Sequence, residues 1–173
     1  MENSANWQGP LGALASLGAI AAVWAMIGFG VNGWHWNNDP PAATPSGELA
    51  RPLYGNQCLM PVWASSGPGL GGRFTAQLDS GDNDQLSLTR ADAARVGLDV
   101  GALWFVFPYQ SVSGTGWMAH ATLRELRIGG AVLRNVSASV ISETTGNGMS
   151  LVGLPLLKQL NFAVRGDSCV VSW

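Results

Sequence analysis

Residues 73–81 read RFTAQLDSG, and their alternation sets the class of the chain. Phe74, Ala76 and Leu78 project to one side of an extended strand while Thr75 and Gln77 project to the other, the period-two pattern of a half-buried β-strand. The run stops at Asp79-Ser80-Gly81, three residue types that favour turns. A carboxylate at the end of an apolar strand is costly unless it is hydrogen-bonded or put to use, so Asp79 is the first residue with chemical content.

Short β-rich runs recur on both sides of it, at 59–64, 85–88, 104–107, 117–128, 131–141, 161–164 and 169–172, with turn signals between them. Gly129-Gly130 separates two long runs as a two-residue hairpin turn, and SSGPGLGG at 65–72 is a longer turn joining the first two strands. Two short helices interrupt the pattern. Thr89 is placed to cap residues 90–96, with Asp92 in the first turn and Gly97 placed to end the helix in a left-handed conformation. Residues 154–160 form the second, with Pro155 tolerated in its first turn. The expectation is an all-β domain with one or two short helices.

Charge divides the chain. Nine of its 173 residues are Lys or Arg and eleven are Asp or Glu, yet residues 1–50 hold only Glu2, Asp39 and Glu48, and the first basic residue is Arg51. With 12% charged residues and a formal net charge of −2, no basic stripe exists to neutralise phosphates, so nucleic acid is not expected as a partner. Residues 11–31, LGALASLGAIAAVWAMIGFGV, carry no charge, and at a helical rise of about 1.5 Å per residue they span the roughly 30 Å of a bilayer core. Trp7 before the run, and Trp34 and Trp36 after it, suit the two membrane–water interfaces. A cleavable signal peptide would call for a basic flank and a shorter apolar stretch, so the run is read as an uncleaved transmembrane helix. Residues 37–46, NNDPPAATPS, are polar and Pro-rich and read as a stiff extended linker. The expected organisation is an N-terminal flank at 1–10, a membrane helix at 11–31, a linker at 32–50 and one soluble domain at 51–173.

The order of these features narrows the class. FTAQLDSG is followed by a second strand, the capped helix of ADAARVGL, a Gly-rich hairpin, the paired strands of LRIGGAVLRNVSASV, and SLVGLPLLKQLNF. In this order the chain resembles the retropepsin-like aspartic proteases, specifically the bacterial single-domain, membrane-anchored kind, over roughly residues 51–173. The resemblance implies a closed β-barrel-like domain preceded by one N-terminal transmembrane helix. It implies an endopeptidase that cleaves extended segments of a protein or peptide substrate by general acid–base activation of water, with no cofactor and no metal. Asp79 would be the catalytic carboxylate. Ser80, Gly81 and the strand Leu151-Val152-Gly153 would support the active-site loops, and Ser113-Gly114-Thr115-Gly116 would form the tip of the flap that covers substrate. The implied location is the bacterial inner membrane, single-pass, with the protease domain in the periplasm.

This chemistry fixes a stoichiometry. Two carboxylates must share one proton, because two close like charges cannot both ionise, and one of them then activates water while the other polarises the scissile carbonyl. The chain contains one Asp-Ser-Gly and is too short for two lobes, so an active enzyme is expected to be a two-fold homodimer with both Asp79 side chains at the axis. Two departures from the family pattern matter. Asp82, followed by Asn83 and Asp84, stands where a small residue is usual, and SVSGTGW lacks an Asn-Gly flap tip. They raise an alternative from another class, a catalytically inactive membrane-tethered dimerisation or peptide-binding module of the same fold.

Other motifs fare worse. Gly67, Gly69 and Gly72 satisfy G-x-G-x-x-G but lead into a strand, so no helix N-terminus is there to meet a phosphate. Asp79, Asp82, Asn83 and Asp84 lack the spacing, central Gly and final Glu of a calcium loop. Of the two histidines, His35 and His120, only the second lies in the soluble domain, and a lone strand His is more often structural. Arg165-Gly166-Asp167 reads as a tight turn between the last two strands. Cys58 and Cys169 fit a bridge in an oxidising compartment and fit two buried thiols equally well.

Overall fold

The computed structural model describes residues 40–44, 46–111, 114–142 and 148–173. In chain order the strands are β1 (Glu48–Pro52), β2 (Leu59–Ser65), β3 (Gly72–Asp79), β4 (Leu86–Leu88), β5 (Phe107–Ser111), β6 (Gly114–Ile128), β7 (Ala131–Ile141), β8 (Ser150–Gly153), β9 (Asn161–Arg165) and β10 (Ser168–Ser172). Two short helices, α1 (Arg90–Arg95) and α2 (Leu154–Leu157), follow β4 and β8.

Alternation drives the assembly. Phe74, Ala76 and Leu78 are buried and Arg73 and Thr75 exposed, so β3 lays one edge of its pleat on the core. The same logic in β2, β4, β6, β7 and β8 closes a ring of six strands in the order β2-β3-β8-β4-β7-β6, with β6 returning to β2 through Val62 beside Ile128 and Ser65 beside Glu125. A closed ring leaves none of these six with two unpaired edges and surrounds a core of Met60, Val62, Leu86, Leu88, Leu123 and Val152, each at most 1% exposed. β5 hangs outside the ring on the far end of β6.

β6 serves both structures by changing face. Ala119 and Leu123 point inward, then Leu126 and Ile128 do, so the inward parity switches between 123 and 126. The switch lies opposite Asn135, whose φ of 54° is the one left-handed value at a non-glycine residue among the described residues.

The last strands form a second sheet, β1-β10-β9, in which β10 has both edges filled. A disulfide between Cys58 and Cys169 staples this sheet to the start of β2, which decides between the bridge and the two thiols left open by the sequence. Gly129-Gly130 makes the expected two-residue turn, Thr89 Oγ1 accepts the Asp92 N–H at 3.1 Å to cap α1, and Gly97 follows it at φ 91°. The tight turn at Arg165-Gly166-Asp167 also forms, between β9 and β10.

Three features differ from the sequence expectation. The strand expected over 104–107 begins only at Phe107 and runs to Ser111, carrying Pro108 on the outer edge of the sheet, where a missing N–H costs no ladder bond. β1 was not foreseen, because all its residues but Leu49 are exposed and it carries no alternation; β10 supplies its pairing. The proline-rich segment is also no free linker throughout. The Pro41 carbonyl accepts a bond from Arg127, the Thr44 N–H donates to the Gly130 carbonyl at 3.2 Å, and Trp173 Nε1 donates to Thr44 Oγ1 at 3.2 Å. Gly130 permits this approach, since a Cβ there would sit 2.1 Å from Thr44 Oγ1. No helix among the described residues is long and apolar enough to cross a membrane, and the run at 11–31 lies outside them.

The bridge closes a loop of 111 residues, for which chain entropy gives about 4–5 kcal/mol. Replacing Cys58 and Cys169 by Ser is expected to lower unfolding free energy by about 2–5 kcal/mol in urea titrations, and reductant should reproduce the loss in the wild type.

Candidate active site

Asp79 closes β3, and its neighbour across the sheet sets its place. β3 and β8 run parallel, with Leu78 beside Val152 and Asp79 beside Gly153. Leu78 and Val152 are buried and fix the ladder from the core side, whereas Asp79 is half-buried and Ser80 and Gly81 are exposed. The chain turns at once. The Asp82 N–H donates to the Asp79 carbonyl at 3.3 Å, and the Gly81 N–H donates to Asp79 Oδ1 at 2.8 Å. Oδ1 is thereby tied to its own turn, and Oδ2 has no partner among the described residues. A Cβ on Gly81 would lie 3.1 Å from Oδ1, so glycine lets the turn close on the carboxylate.

Leu151-Val152-Gly153 forms most of β8, and Gly153 is where backbone meets backbone. A Cβ there would stand 1.9 Å from the Asp84 carbonyl oxygen and 2.8 Å from that of Asp82. The Gly153 N–H donates to the Gln85 carbonyl at 3.0 Å and the Leu154 N–H to the Asp82 carbonyl at 2.9 Å. The other end of β8 is held by a buried network that sequence patterning did not single out. Ser150 Oγ donates to Asp92 Oδ2 at 2.8 Å and accepts the Thr89 N–H at 3.1 Å, while Asp92 Oδ1 pairs with Arg95. A buried charge needs such partners.

The Asp82 carboxylate still feels the negative charge of Asp79, while it is held by hydrogen bonds of its own. Oδ2 accepts the Ser87 hydroxyl at 2.7 Å and Oδ1 the Asp84 N–H at 3.0 Å. Burial pushes its pKa above the ordinary carboxylate value. The bonds from Ser87 and Asp84 pull it back in part, and the negative charges of Asp84 and Asp79 add to the rise. The folded state therefore holds the Asp82 proton more tightly than the unfolded state. This contribution to stability is present in acid and is lost as the pH rises through the raised folded pKa.

The flap segment is a hairpin of β5 and β6 with Ser111 paired to Gly114 and the Ser111 hydroxyl 3.1 Å from the Gly114 carbonyl. Ser113 lies outside the described residues, while Gly114, Thr115 and Gly116 belong to β6 itself. Gly116 sits beside Tyr109, and a Cβ on it would be 2.5 Å from the Tyr109 ring, so the ring lies across the strand only because this residue is glycine. Trp117, on β6 of the hairpin, is 54% exposed, and Trp104, three residues before β5, is 80% exposed. His120 sits lower on β6, its ring 4.5 Å from that of Phe107 and its Nδ1 3.3 Å from Ser139 Oγ, as a structural strand histidine would. The Gly67, Gly69 and Gly72 motif lies in the turn between β2 and β3, with Gly72 opening β3. It borders a concavity of about 400 Å³ lined by Trp63, Leu70 and Arg124, at the opposite end of β3 from Asp79. Neither this concavity nor a second of about 180 Å³ is lined by residues 79–81 or 151–153.

Residues 71–159, just over half of the chain, match the family model described as "gag-polyprotein putative aspartyl protease". Among solved structures, a retropepsin-like aspartic protease from Rickettsia conorii is 21% identical, covers 78% of this chain and 97% of its own, and superposes with a TM-score of 0.62. EIAV protease in complex with the inhibitor HBY-793 is 15% identical over 61% of this chain and 89% of its own, with a TM-score of 0.46. No curated protein sequence matches. The chain belongs to the retropepsin-like aspartic proteases, and by that membership it is a hydrolase of the aspartic endopeptidase class.

Two consequences are measurable. Gly153→Ala should cost about 1–3 kcal/mol or more in unfolding experiments, because the added methyl meets backbone that cannot step aside. Asp82→Asn, whose amide stays neutral, should gain thermal stability relative to wild type as the pH rises from about 4 toward neutrality. A Tm difference that does not change with pH contradicts the assignment.

Proposed function

We propose that this chain is a membrane-anchored aspartic endopeptidase that acts as a homodimer, with Asp79 of each protomer as the catalytic carboxylate and an extended peptide as substrate. The observation that carries the reading is the state of Asp79. It ends the half-buried strand β3, one carboxylate oxygen accepts the Gly81 N–H, and the other has no partner among the described residues. An open half-site suits chemistry that needs a second carboxylate from elsewhere. One carboxylate, ionised, takes a proton from water as the water attacks the scissile carbonyl. The other, protonated, donates to that carbonyl oxygen to give a tetrahedral diol. The first then gives its proton to the leaving amine as the C–N bond breaks, and the second takes a proton back from a diol hydroxyl, so the pair again holds one proton.

Ser80 and Gly81, with Leu151, Val152 and Gly153, are proposed to hold the catalytic turns. The hairpin tip at Ser113, Gly114, Thr115 and Gly116 is proposed to cover substrate. The exposed Trp117 gives that hairpin an apolar surface suited to side chains of an extended peptide. If two protomers join by strand addition within the terminal sheet, β1 and β9 supply the open edges, because β10 is flanked on both sides. The ground for a silent module weakens with Asp82, whose carboxylate is satisfied by Ser87 and Asp84.

The anchor rests on the uncharged run at 11–31, and tethering two copies in one membrane raises their effective concentration for pairing. The Cys58–Cys169 bridge favours an oxidising compartment, in keeping with a periplasmic domain on the inner membrane.

Asp79→Asn should fold as the wild type does and lose cleavage of denatured protein by about 10²–10⁴-fold or more. The specific activity of a soluble 40–173 fragment should also fall on dilution as dimers part, with sedimentation following the same concentration. Unchanged cleavage by Asp79→Asn would reject the catalytic assignment, and dilution-independent activity of a monomer would reject the dimer.

A further inference from the structure

The turn that carries Asp79 is short and exposed, and four hydrogen bonds of one residue, Asp82, hold its far end. The Asp82 N–H reaches back to the Asp79 carbonyl, and its own carbonyl accepts the N–H of Leu154, the first residue of α2. Its carboxylate accepts the Asp84 N–H through Oδ1 and the Ser87 hydroxyl through Oδ2. Ser87 is well placed to anchor a turn. It is the middle residue of β4, paired with Leu151 of β8 on one side and with Ser139 of β7 on the other, inside the closed ring.

We propose that the Asp82–Ser87 hydrogen bond is a clasp that positions the Asp79 turn for catalysis, which makes Asp82 and Ser87 positioning residues of the protease. This rests on the reading of Asp79 as the catalytic carboxylate. The clasp is the only side-chain bond among the described residues that runs from the turn at 79–84 into a strand of the ring. The remaining ties of that turn are backbone bonds or bonds within it. A reacting group displaced by about 1 Å costs on the order of 10²-fold in rate, so a side-chain tie at the residue directly after Gly81 acts on the chemical step while leaving substrate contacts in place. The charged groups acting on Asp82 are Asp79 and Asp84, both acidic, so the clasp works by hydrogen bonding and not by ion pairing. An asparagine can reproduce it, accepting from the Asp84 N–H through Oδ1 and donating to the Ser87 hydroxyl through Nδ2.

The test uses the full chain and an internally quenched peptide that the wild type cleaves, with kcat and KM measured for Asp82→Ala, Ser87→Ala, the double variant and Asp82→Asn. Asp82→Ala and Ser87→Ala should each lower kcat about 10- to 100-fold with KM within about threefold. The double variant should lose no more than the worse single one, the mark of two residues acting through one bond. Asp82→Asn should return kcat to within about threefold of wild type, which a requirement for charge alone would not allow. The clasp is overturned by single variants of unchanged kcat, by a loss confined to KM, by additive losses, or by an Asp82→Asn as impaired as Asp82→Ala. If Asp82→Ala no longer unfolds cooperatively, Ser87→Ala, which removes one hydroxyl, decides the question by its kcat. Asp79→Asn in the same assay separates the two claims. Unchanged cleavage by that variant rejects the catalytic reading, whereas its loss of about 10²-fold or more beside a fully active Ser87→Ala rejects the clasp alone.

Discussion

The parallel contact of β3 with β8, closed where Asp79 lies beside Gly153, is the constraint on which the rest of the structure depends. Parallel neighbours cannot be joined by a tight turn, so the chain must leave Asp79, build β4, α1, β5, β6 and β7, and come back to place β8 alongside. The return closes the six-stranded ring and buries Leu78 and Val152 beneath the two turns. The approach is close enough that residue 153 has no room for a side chain, since the carbonyls of Asp82 and Asp84 occupy the space. The site is therefore a consequence of barrel closure.

Rigidity is distributed unequally around that contact. The core side of β8 is fixed by apolar packing and by the network of Ser150, Asp92 and Thr89, all three buried and hydrogen-bonded. The solvent side, from Ser80 to Asp84, has no such packing and relies on a few directional bonds. Surface turns held this way are where function is carried, because a reactive carboxylate has to stay accessible while its direction is fixed. The disulfide and the docked segment at 40–44 act at a distance. They bind the terminal sheet and the Gly129-Gly130 turn to the barrel, so the strand that begins at Leu59 starts from a fixed point beside the end of β3.

Much of this was legible in the residues. Phe74, Ala76 and Leu78 announced the inward face of β3, Gly129-Gly130 the hairpin of β6 and β7, and Thr89 with Gly97 both ends of α1, because each of these signals acts within a few residues of itself. Asp79-Ser80-Gly81 was also conspicuous where it stood, and the structure places it at the end of half-buried β3, with Asp79 beside Gly153. β1 escaped notice, since a strand exposed along nearly its whole length has no alternation to read and exists only because β10 pairs with it. The strand at 107–111 was read too early because the aromatic residues Trp104 and Phe105 raise β-propensity in a segment that pairs with nothing.

Asp82 illustrates the division most sharply. Its sequence neighbours are acidic, and proximity along the chain suggests a charge that burdens Asp79; the fold keeps that repulsion but also brings Ser87 to the same carboxylate and turns it into a tie. The sequence by itself determined the inward and outward faces of the strands, the turns and the helix caps, all of which follow from local backbone preference and from the burial of alternate side chains. Only the tertiary structure decided that Cys58 meets Cys169, that β3 and β8 lie side by side, and how the Asp82 carboxylate is spent. Those contacts join residues from distant parts of the chain, or depend on the strands such residues form, and their free energy is realised only once the ring has closed.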